Sequence, residues 1–394
     1  MPKQSKQFPM ENKFRVLFLD TRPIRRGAQV FVHELKHKFS AEGIPVRRIF
    51  LYEEVKYEQL VLDENDLVMP FREDHFFEKI PSVHPILVMR LANEIKSFSP
   101  DIILCNGSRT LKYAAVVKKC YPGIKAKWVY RVIDSAVYWN RRSITQFYYR
   151  HFVIPAMDGA VGVSQKSLNE MIHHYSFKKP SVCIPRAVDI DHFINYIPEA
   201  DAKQKLGIPE DALVLLFLGN FSKQKRPDRF INVINSLKES IPNVHGLMVG
   251  DGPLMSAVND IISELSLENN ITCVGYKKDV RPWIAMSDVL LLTSDTEGMP
   301  GVVLEAAAMK KLTITGNIGG VAEFIKNGST GFIVDWHFIE KEMLIKIILN
   351  NQNIKAIVEN AFLKLKERFN LDFIFKKYFK FFEIIFLGNA VKNS

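Results

Sequence analysis

The chain has 394 residues, of which 47% are hydrophobic and 24% charged, and these proportions exclude an intrinsically disordered protein. This length exceeds one ordinary core and predicts two domains of about 150–200 residues each. The four scattered cysteines have no metal-binding spacing, which is typical of reduced residues in a cytoplasmic protein. No apolar run approaches the roughly 18–20 residues that span a bilayer, and residues 1–13 lack a signal-peptide core and predict a flexible tail.

The net charge of +10 is unevenly distributed along the chain. Residues 1–195 contain 30 Lys and Arg against 20 Asp and Glu, whereas residues 196–394 contain 23 of each kind. A basic half beside a neutral half favours contact of the first half with an acidic membrane surface, a phosphorylated lipid or nucleic acid. A generally basic proteome would explain the same excess without a specific partner.

In chain order, the first half alternates short apolar strands with helical segments. A strand at 14–19, a helix over 30–39 and a second strand at 45–50 form the βαβ opening of a parallel sheet. Further strands are predicted at 100–105, 128–133, 159–163 and 182–185. Residues 52–80 show no clear period and are not assigned.

The strand and helix pattern restarts after a predicted linker at 186–200. Strands of the second half are predicted at 213–218, 244–249, 271–274, 289–292, 313–315 and 331–334. Each ends at a polar or glycine-containing turn, and ligands of open α/β sheets collect at the carboxyl ends of strands. Two similar domains facing across a cleft are therefore predicted. The segment 369–387, rich in Phe and Lys, is either a helix packed in the core across the domain junction or an amphipathic helix on a membrane.

The stretch TSDTEGMPGVVLE at 293–305 carries the clearest site chemistry. It joins a buried strand to a helix through a turn rich in Gly and Pro, and a helix start offers unpaired N–H groups to a phosphate. Glu297 in the turn and Glu305 eight residues later flank that start. Carboxylates accept hydrogen bonds from sugar hydroxyls, so the combination predicts a cradle for a nucleotide sugar. Taken alone, the two acids are explained equally well as an ordinary loop charge and an exposed helix residue.

Over residues 14–385 the chain resembles the retaining glycosyltransferases of family 4, the group 1 glycosyl transferases. The most specific match is the pair of Glu residues at 297 and 305 with Gly and Pro between them. Supporting blocks are the loop at 219–225, GDGP at 250–253, GGVAEFI at 319–325, TGFIV at 330–334 and IPRAVDIDHF at 184–193. The resemblance implies an α/β GT-B fold of two Rossmann-like parallel-sheet domains. The two domains are an N-terminal acceptor domain (14–195) and a C-terminal nucleotide-sugar domain (196–375), followed by a final helix (376–394) that returns toward the first domain.

The resemblance also implies roles for individual side chains. Glu305 would accept hydrogen bonds from the ribose hydroxyls, Glu297 would bind hydroxyls of the donor sugar, and Lys225 would pair with the diphosphate. Asp134, which ends a predicted strand, would lie near the reacting carbon and the acceptor. Its alternative role is to cap the next helix or to pair with Arg131. The implied catalytic set is therefore Glu297, Lys225 and Asp134.

Backbone groups complete the implied donor site. The amides of residues 299 and 300 would meet the sugar and those of 301 and 302 the diphosphate, whereas 276 and 277 would hold the base. Gly27 would let the backbone of the first domain approach the diphosphate. The donor-binding positions besides the two acids and Lys225 are thus Arg26, Gly27, Asn220, Tyr276, Lys277, Gly298, Met299, Pro300, Gly301 and Val302.

The chain departs from the family pattern in three ways. Asn220 stands where the family usually has an Arg, so one phosphate cation is missing from that loop. Arg26 replaces the first of two usual glycines, and we hypothesise that it supplies the lost charge, with Lys223 and Arg226 as alternatives. The Gly and Pro that usually follow the second acid are also replaced, at 310 and 312.

The implied activity is sugar transfer from a nucleoside diphosphate sugar, of the UDP or GDP type, to a glycan or lipid-linked acceptor in cell-surface polysaccharide or lipopolysaccharide synthesis. The family retains the anomeric configuration and is metal-independent, so no metal or other cofactor is expected. The expected location is the cytoplasm, with the inner face of the cell membrane as an alternative. No nucleic-acid partner is expected, because no predicted helix has dense Lys and Arg on one face. A non-catalytic nucleotide-sugar or glycan-binding protein of the same fold is the alternative function, and Asn220 is its best support.

Overall fold

The computed structural model describes residues 14–55, 58–73, 83–133, 143–349 and 352–388. The chain forms two compact units, one comprising Met1–Ile184 with Phe375–Ser394 and the other comprising Pro185–Ile374. Each unit is built on one parallel β-sheet whose strands alternate with helices, as in other α/β proteins. The predicted fold class is therefore confirmed.

The first unit contains a seven-stranded parallel sheet. Its strands are β1 (Val16–Asp20), β2 (Val46–Phe50), β3 (Asp66–Val68), β4 (Ile102–Asn106), β5 (Lys127–Val132), β6 (Gly159–Gly162) and β7 (Ser181–Cys183). Its helices are α1 (Gly27–Ala41), α2 (Pro85–Phe98), α3 (Ser108–Cys120), α4 (Ser143–Tyr148) and α5 (Gln165–Tyr175), with a π-helical turn at Tyr149–Val153. The spatial order is β3-β2-β1-β4-β5-β6-β7, so the direction of winding reverses between β1 and β4. The three-residue edge strand β3 lies in the stretch that the sequence pattern left unassigned.

A buried polar network follows the β1–β4 reversal of this sheet. Asp20 at the end of β1 is fully buried and accepts hydrogen bonds from Arg48 Nη2 at 2.7 Å and from Asn106 Nδ2 at 3.0 Å. Arg131 of β5 donates from Nη1 to Asn106 Oδ1 at 2.8 Å. These contacts satisfy the carboxylate inside the core, where an unpaired charge would be costly.

The second unit contains a six-stranded parallel sheet. Its strands are β8 (Leu213–Leu218), β9 (Val244–Val249), β10 (Ile271–Gly275), β11 (Val289–Leu292), β12 (Leu312–Gly316) and β13 (Phe332–Val334). Its helices are α6 (Ile190–Ile194), α7 (Pro227–Leu237), α8 (Met255–Glu264), α9 (Arg281–Met286), α10 (Gly301–Ala308), α11 (Val321–Phe324), α12 (Lys341–Ile348) and α13 (Ile354–Arg368). The order β10-β9-β8-β11-β12-β13 reverses between β8 and β11, where ligands of such sheets bind.

The last helix, α14 (Leu371–Leu387), begins in the second unit and from Phe375 onward belongs to the first. Its buried residues include Tyr378, whose hydroxyl accepts a hydrogen bond from Arg131 Nε at 3.1 Å. The ring of Phe379 stacks on Phe14 with 5.3 Å between centroids. The helix is therefore a core element, and the membrane-surface alternative for this segment is wrong. No helix in the described part of the chain combines the length and the apolar character needed to cross a membrane.

Candidate functional site

The candidate site lies in the second unit, where the loop after β8 meets the loop after β11. Thr293 Oγ1 donates to the carbonyl oxygens of Lys225 at 3.0 Å and Arg226 at 3.1 Å. The Asp295 N–H donates to Gln224 O, and Gln224 Nε2 in turn donates to Thr296 O, both at 2.8 Å. These reciprocal bonds fasten the two loops to each other at the sheet reversal.

Glu297 stands at the centre of this junction. Its Oε1 accepts a hydrogen bond from Lys225 Nζ at 2.5 Å and another from Ser294 Oγ at 2.7 Å. The side chains of Lys225 and Glu297 are 23% and 10% exposed, so a ligand can reach both. The structure thus brings together the cation and the first acid that the sequence predicts, and they are partners of each other.

Helix α10 begins at Gly301, four residues after Glu297. Its first turn has no acidic residue, and the first N–H groups of a helix have no intrahelical acceptor, so those of Gly301 and Val302 suit an anion. The predicted contact through the Pro300 amide is wrong, because proline has no N–H to donate. Pro300 instead occupies the N-cap position in an extended conformation, with φ −71° and ψ 119°, and sets the entry into the helix.

Two glycine-rich loops support the junction by close backbone contacts. A Cβ at Gly319, whose φ is +49°, would lie 1.6 Å from the carbonyl oxygen of Glu297. The neighbouring Gly320 N–H donates to Gly298 O at 2.6 Å. The loop at 316–321 therefore fixes the backbone that carries the first acid.

The GDGP loop packs in the same way against the loop after β8. A Cβ at Gly250, whose φ is +144°, would lie 1.9 Å from Gly219 O, and one at Gly252 would lie 2.2 Å from Asn220 Oδ1. The Asn220 side chain is thus placed against Gly252. Its predicted part in donor binding stays a prediction.

Glu305 lies one helical turn beyond Gly301, on the same face of α10. Its Oε1 accepts a hydrogen bond from Arg186 Nη2 at 3.0 Å, and the two side chains are 13% and 11% exposed. Sequence reasoning missed Arg186 as a site residue, although it belongs to the IPRAVDIDHF block. Ser294 was missed as well, although it lies three residues before Glu297.

Arg226 and Lys223 are the alternative phosphate cations of the second unit. The Arg226 guanidinium bonds Asp228 at 2.7 Å and lies 3.5 Å from Asp295, and the hydrogen bond to Asp228 raises the pKa of Arg226. Its charge is therefore matched by two local carboxylates. Lys223 is exposed in the same loop.

The remaining predicted residues lie apart from this junction along the chain. Tyr276 and Lys277 follow β10, the edge strand of the second sheet; Tyr276 is 45% exposed, and Lys277 Nζ lies 5.2 Å above the ring of Trp283. In the first unit, α1 begins at Gly27 after an extended Arg26. Asp134 lies outside the described residues. Among the residues that the structure describes, no group of three or more His, Cys, Asp or Glu could hold a metal ion.

Two protein-family models match this chain. Residues 25–192 match the model described as Glycosyltransferase Family 4, and residues 198–362 match the model of Glycosyl transferases group 1. Together they span most of the sequence in family order. The chain belongs to this glycosyltransferase family. The predicted family is thus confirmed.

Characterised members of the family are similar over part of their length. The N-acetyl-alpha-D-glucosaminyl L-malate synthase of Bacillus anthracis is 28% identical over 184 residues, covering 44% of this chain and 48% of that protein. The UDP-Gal:alpha-D-GlcNAc-diphosphoundecaprenol alpha-1,3-galactosyltransferase of Escherichia coli is 28% identical over 193 residues, covering 48% and 50%. The matches thus span about half the length of these relatives.

Solved structures are similar over nearly the whole chain. The Anabaena protein HepE, in complex with UDP and glucose, superposes with a TM-score of 0.78 at 20% identity over 93% of this chain and 98% of its own. WaaG, a glycosyltransferase involved in lipopolysaccharide biosynthesis, gives 0.71 at 19% identity over 94% and 99%. At these identities the likeness concerns the fold, which is the predicted GT-B fold.

Proposed function

We propose that the protein is a retaining glycosyltransferase that moves a sugar from a nucleoside diphosphate sugar to a glycan or lipid-linked acceptor. The observation that carries the proposal is the arrangement around the start of α10. Glu297, bonded to Lys225, precedes the helix and Glu305 lies one turn into it, so hydroxyl acceptors flank the N–H groups that suit a diphosphate.

In the proposed reaction, the bond between the anomeric carbon and the diphosphate oxygen breaks while the acceptor oxygen bonds to that carbon on the same face. The acceptor hydroxyl proton passes to the departing phosphate oxygen. Negative charge therefore builds on the diphosphate, where the Lys225 ammonium and the amides of Gly301 and Val302 stabilise it without a metal ion. Asp134 is proposed to orient the acceptor, and Arg26 and Gly27 to meet the diphosphate from the first domain.

Lys225 has two roles in this scheme. In the structure, its ammonium bonds the Glu297 carboxylate. When the donor binds, the diphosphate attracts the ammonium and the donor-sugar hydroxyls bond the carboxylate, so the ion pair is exchanged for two ligand contacts.

We favour uridine over guanosine in the donor. The galactosyltransferase relative is named for UDP-Gal, and similar structures are described with UDP and glucose or with UDP and GlcNAc. A glycan or lipid-diphosphate acceptor is favoured by the same galactosyltransferase and by WaaG. These preferences are those of the similar proteins and are transferred to this chain as a proposal.

The decisive experiment measures release of nucleoside diphosphate from a panel of UDP, GDP and ADP sugars, with and without candidate acceptors and with and without a chelator. We expect turnover with one UDP sugar that survives the chelator, and its loss in Glu297→Ala. Glu239→Ala is the matched control, because Glu239 is 81% exposed. Tight binding of a UDP sugar without turnover would favour the non-catalytic binding protein, and no binding of any nucleotide sugar would reject both functions.

We further propose that the first unit binds an anionic membrane surface. Ile144, Phe147 and Phe152 are 69%, 59% and 48% exposed and cluster around α4 and the π-helical turn. Lys119 Nζ lies 5.0 Å above the Phe152 ring, so positive charge borders the apolar patch. An aromatic patch with basic neighbours suits acidic lipid headgroups.

Sedimentation with vesicles tests this surface. We expect salt-sensitive binding to vesicles that contain an acidic phospholipid, reduced in a Phe147→Ser, Phe152→Ser double variant. Phe338→Ser, at an 83% exposed residue of the second unit, is the control. Equal binding to neutral vesicles would contradict the proposal.

A further inference from the structure

Arg186 occupies a constrained place beside α10. The segment that follows it is held in place, because the Val188 N–H donates to Phe369 O at 3.1 Å and Asp189 caps α6 by accepting from the His192 N–H at 3.2 Å. Arg186 is only 9% exposed. Its guanidinium is thus a nearly buried cation on a fixed backbone.

The guanidinium lies against the first turn of α10. A Cβ at Gly301 would lie 1.9 Å from Arg186 Nη1 and 2.3 Å from its central carbon, so only glycine leaves room for the group. Nη2 donates to Glu305 Oε1 at 3.0 Å, while the buried Nε has no partner among the described residues. A buried guanidinium with an unpaired N–H is costly, and the Glu305 carboxylate is the contact that offsets this cost.

We propose that Arg186 is a positioning residue for Glu305. By occupying Oε1, it fixes the carboxylate so that Oε2 faces the hydroxyls of the donor ribose. This inference rests on the proposed function, in which Glu305 binds the ribose. A glutamate side chain has several rotatable bonds, and holding it in one orientation before the ligand arrives reduces the entropy lost on binding.

The arrangement also repeats that of the first acid. Lys225 occupies Oε1 of Glu297 just as Arg186 occupies Oε1 of Glu305, and both acids keep a second oxygen. Each of the two acids is thus paired with one cation in the structure, but Lys225 is proposed to leave Glu297 for the diphosphate, whereas Arg186 is proposed to stay on Glu305. The cation of Glu305 is the more buried of the two, at 11% side-chain exposure against 23%.

The test is a cycle of binding measurements with UDP and 2′,3′-dideoxy-UDP, performed by calorimetry on the full chain. We expect Arg186→Gln to weaken UDP about tenfold, since a hydrogen bond to a charged group contributes at least this much, and to leave dideoxy-UDP almost unchanged. Glu305→Gln should give the same pattern, and the double variant should lose no more than either single variant. Arg186→Lys should restore part of the lost affinity.

Equal weakening of UDP and dideoxy-UDP in Arg186→Gln would overturn the inference, because it would mean that Arg186 acts on the diphosphate or on the fold. Unchanged UDP affinity would overturn it too. Failure of the wild-type chain to bind UDP, GDP or ADP is a different outcome, since it rejects the proposed function itself.

Gly301→Ala provides a second variant that keeps both charged groups. Its methyl group would displace the guanidinium while both charged residues are still present. We therefore expect weaker binding of UDP and almost unchanged binding of dideoxy-UDP, which lacks the ribose hydroxyls. In the Arg186→Gln background the methyl group meets a shorter side chain and should weaken UDP binding little further. An equal further loss in that background would show that the methyl group acts directly on the ligand and would count against the proposal.

Discussion

Both sheets reverse their winding once, but the two reversals are built differently. Between β1 and β4 the acid Asp20 is fully buried and held by the buried residues Arg48 and Asn106. Between β8 and β11 the acid Glu297 is 10% exposed and is held by a lysine that is 23% exposed. The same topology therefore supports a sealed polar core in one unit and a reachable ion pair in the other. Burial, rather than the presence of charge, separates the structural acid from the candidate binding acid.

The largest expected effect is on the stability of the first unit, where the acid Asp20 is buried. Asp20→Ala leaves the buried Arg48 guanidinium without its carboxylate, so we expect the first unit to lose about 3–5 kcal/mol of unfolding free energy. Urea unfolding followed through the buried Trp128 measures the change. The control Asp260→Ala, at an exposed position in α8, should change stability by no more than about 0.5 kcal/mol. An equally small change for Asp20→Ala would remove the distinction between the two reversals.

For the partly exposed ion pair of Lys225 and Glu297, we expect a large effect on turnover and a small effect on stability. Lys225→Ala removes the cation proposed to stabilise the leaving diphosphate, so we expect turnover to fall about 100- to 1,000-fold. Because the pair is partly exposed, the unfolding free energy should fall by at most about 1 kcal/mol. Lys355→Ala, at an exposed position of α13 in the same unit, is the control and should keep near-normal turnover. A large loss of stability without loss of turnover would mean that Lys225 stabilises the fold and not the leaving diphosphate.

Gly319 tests how firmly the backbone of Glu297 is held. In Gly319→Ala the new Cβ would lie 1.6 Å from Glu297 O, and we expect the cost of strain and displacement to be about 1–3 kcal/mol, with weaker donor binding. Gly328→Ala is matched in backbone conformation, with φ +70° against +49°, but its Cβ would meet nothing within 4 Å. The difference between the two variants in UDP affinity isolates the contact with Glu297. Equal affinities would mean that this loop does not support the site.

The smallest expected effect concerns His33, beside the sealed network. Burial, together with the charges of His37, Arg48 and Lys36, lowers the pKa of His33 to about 4, while Asp66 opposes the shift. The unfolded chain therefore binds more protons between pH 6.5 and 4, and stability falls as the pH drops through this range. His33→Gln should flatten this dependence in urea unfolding at pH 7 and pH 5. The exposed His173→Gln should leave it in place.

Local sequence pattern predicted most of the architecture. Apolar runs and turn residues located both sheets, because strands buried on two faces are continuous in hydrophobicity. The edge strand β3 was not predicted, because its three residues are only partly buried and are too few to show a periodic pattern. The pattern also gave no sign that Arg48 and Arg131 point into the core, because inward charges break the rule on which the pattern rests.

The candidate site was predictable where its chemistry is local. Glu297, Glu305 and the helix start lie within one short stretch, and Lys225 was found from its spacing to Gly219. The contact of Arg186 with Glu305 joins residues 119 positions apart, and no local period encodes such a partnership. The Pro300 amide was predicted from a motif position without regard to the chemistry of proline.

The return of α14 to the first unit has a consequence for synthesis on the ribosome. Residues up to 184 are made before the second unit, but Tyr378 and the rings that cover Phe14 and Phe39 are made only after it. Until then, the Arg131 guanidinium lacks its phenol partner and part of the apolar surface of the nascent first unit stays open to water. The unit that begins first is therefore the one that finishes last, and a nascent chain stalled before residue 375 would present an incomplete core to chaperones and proteases.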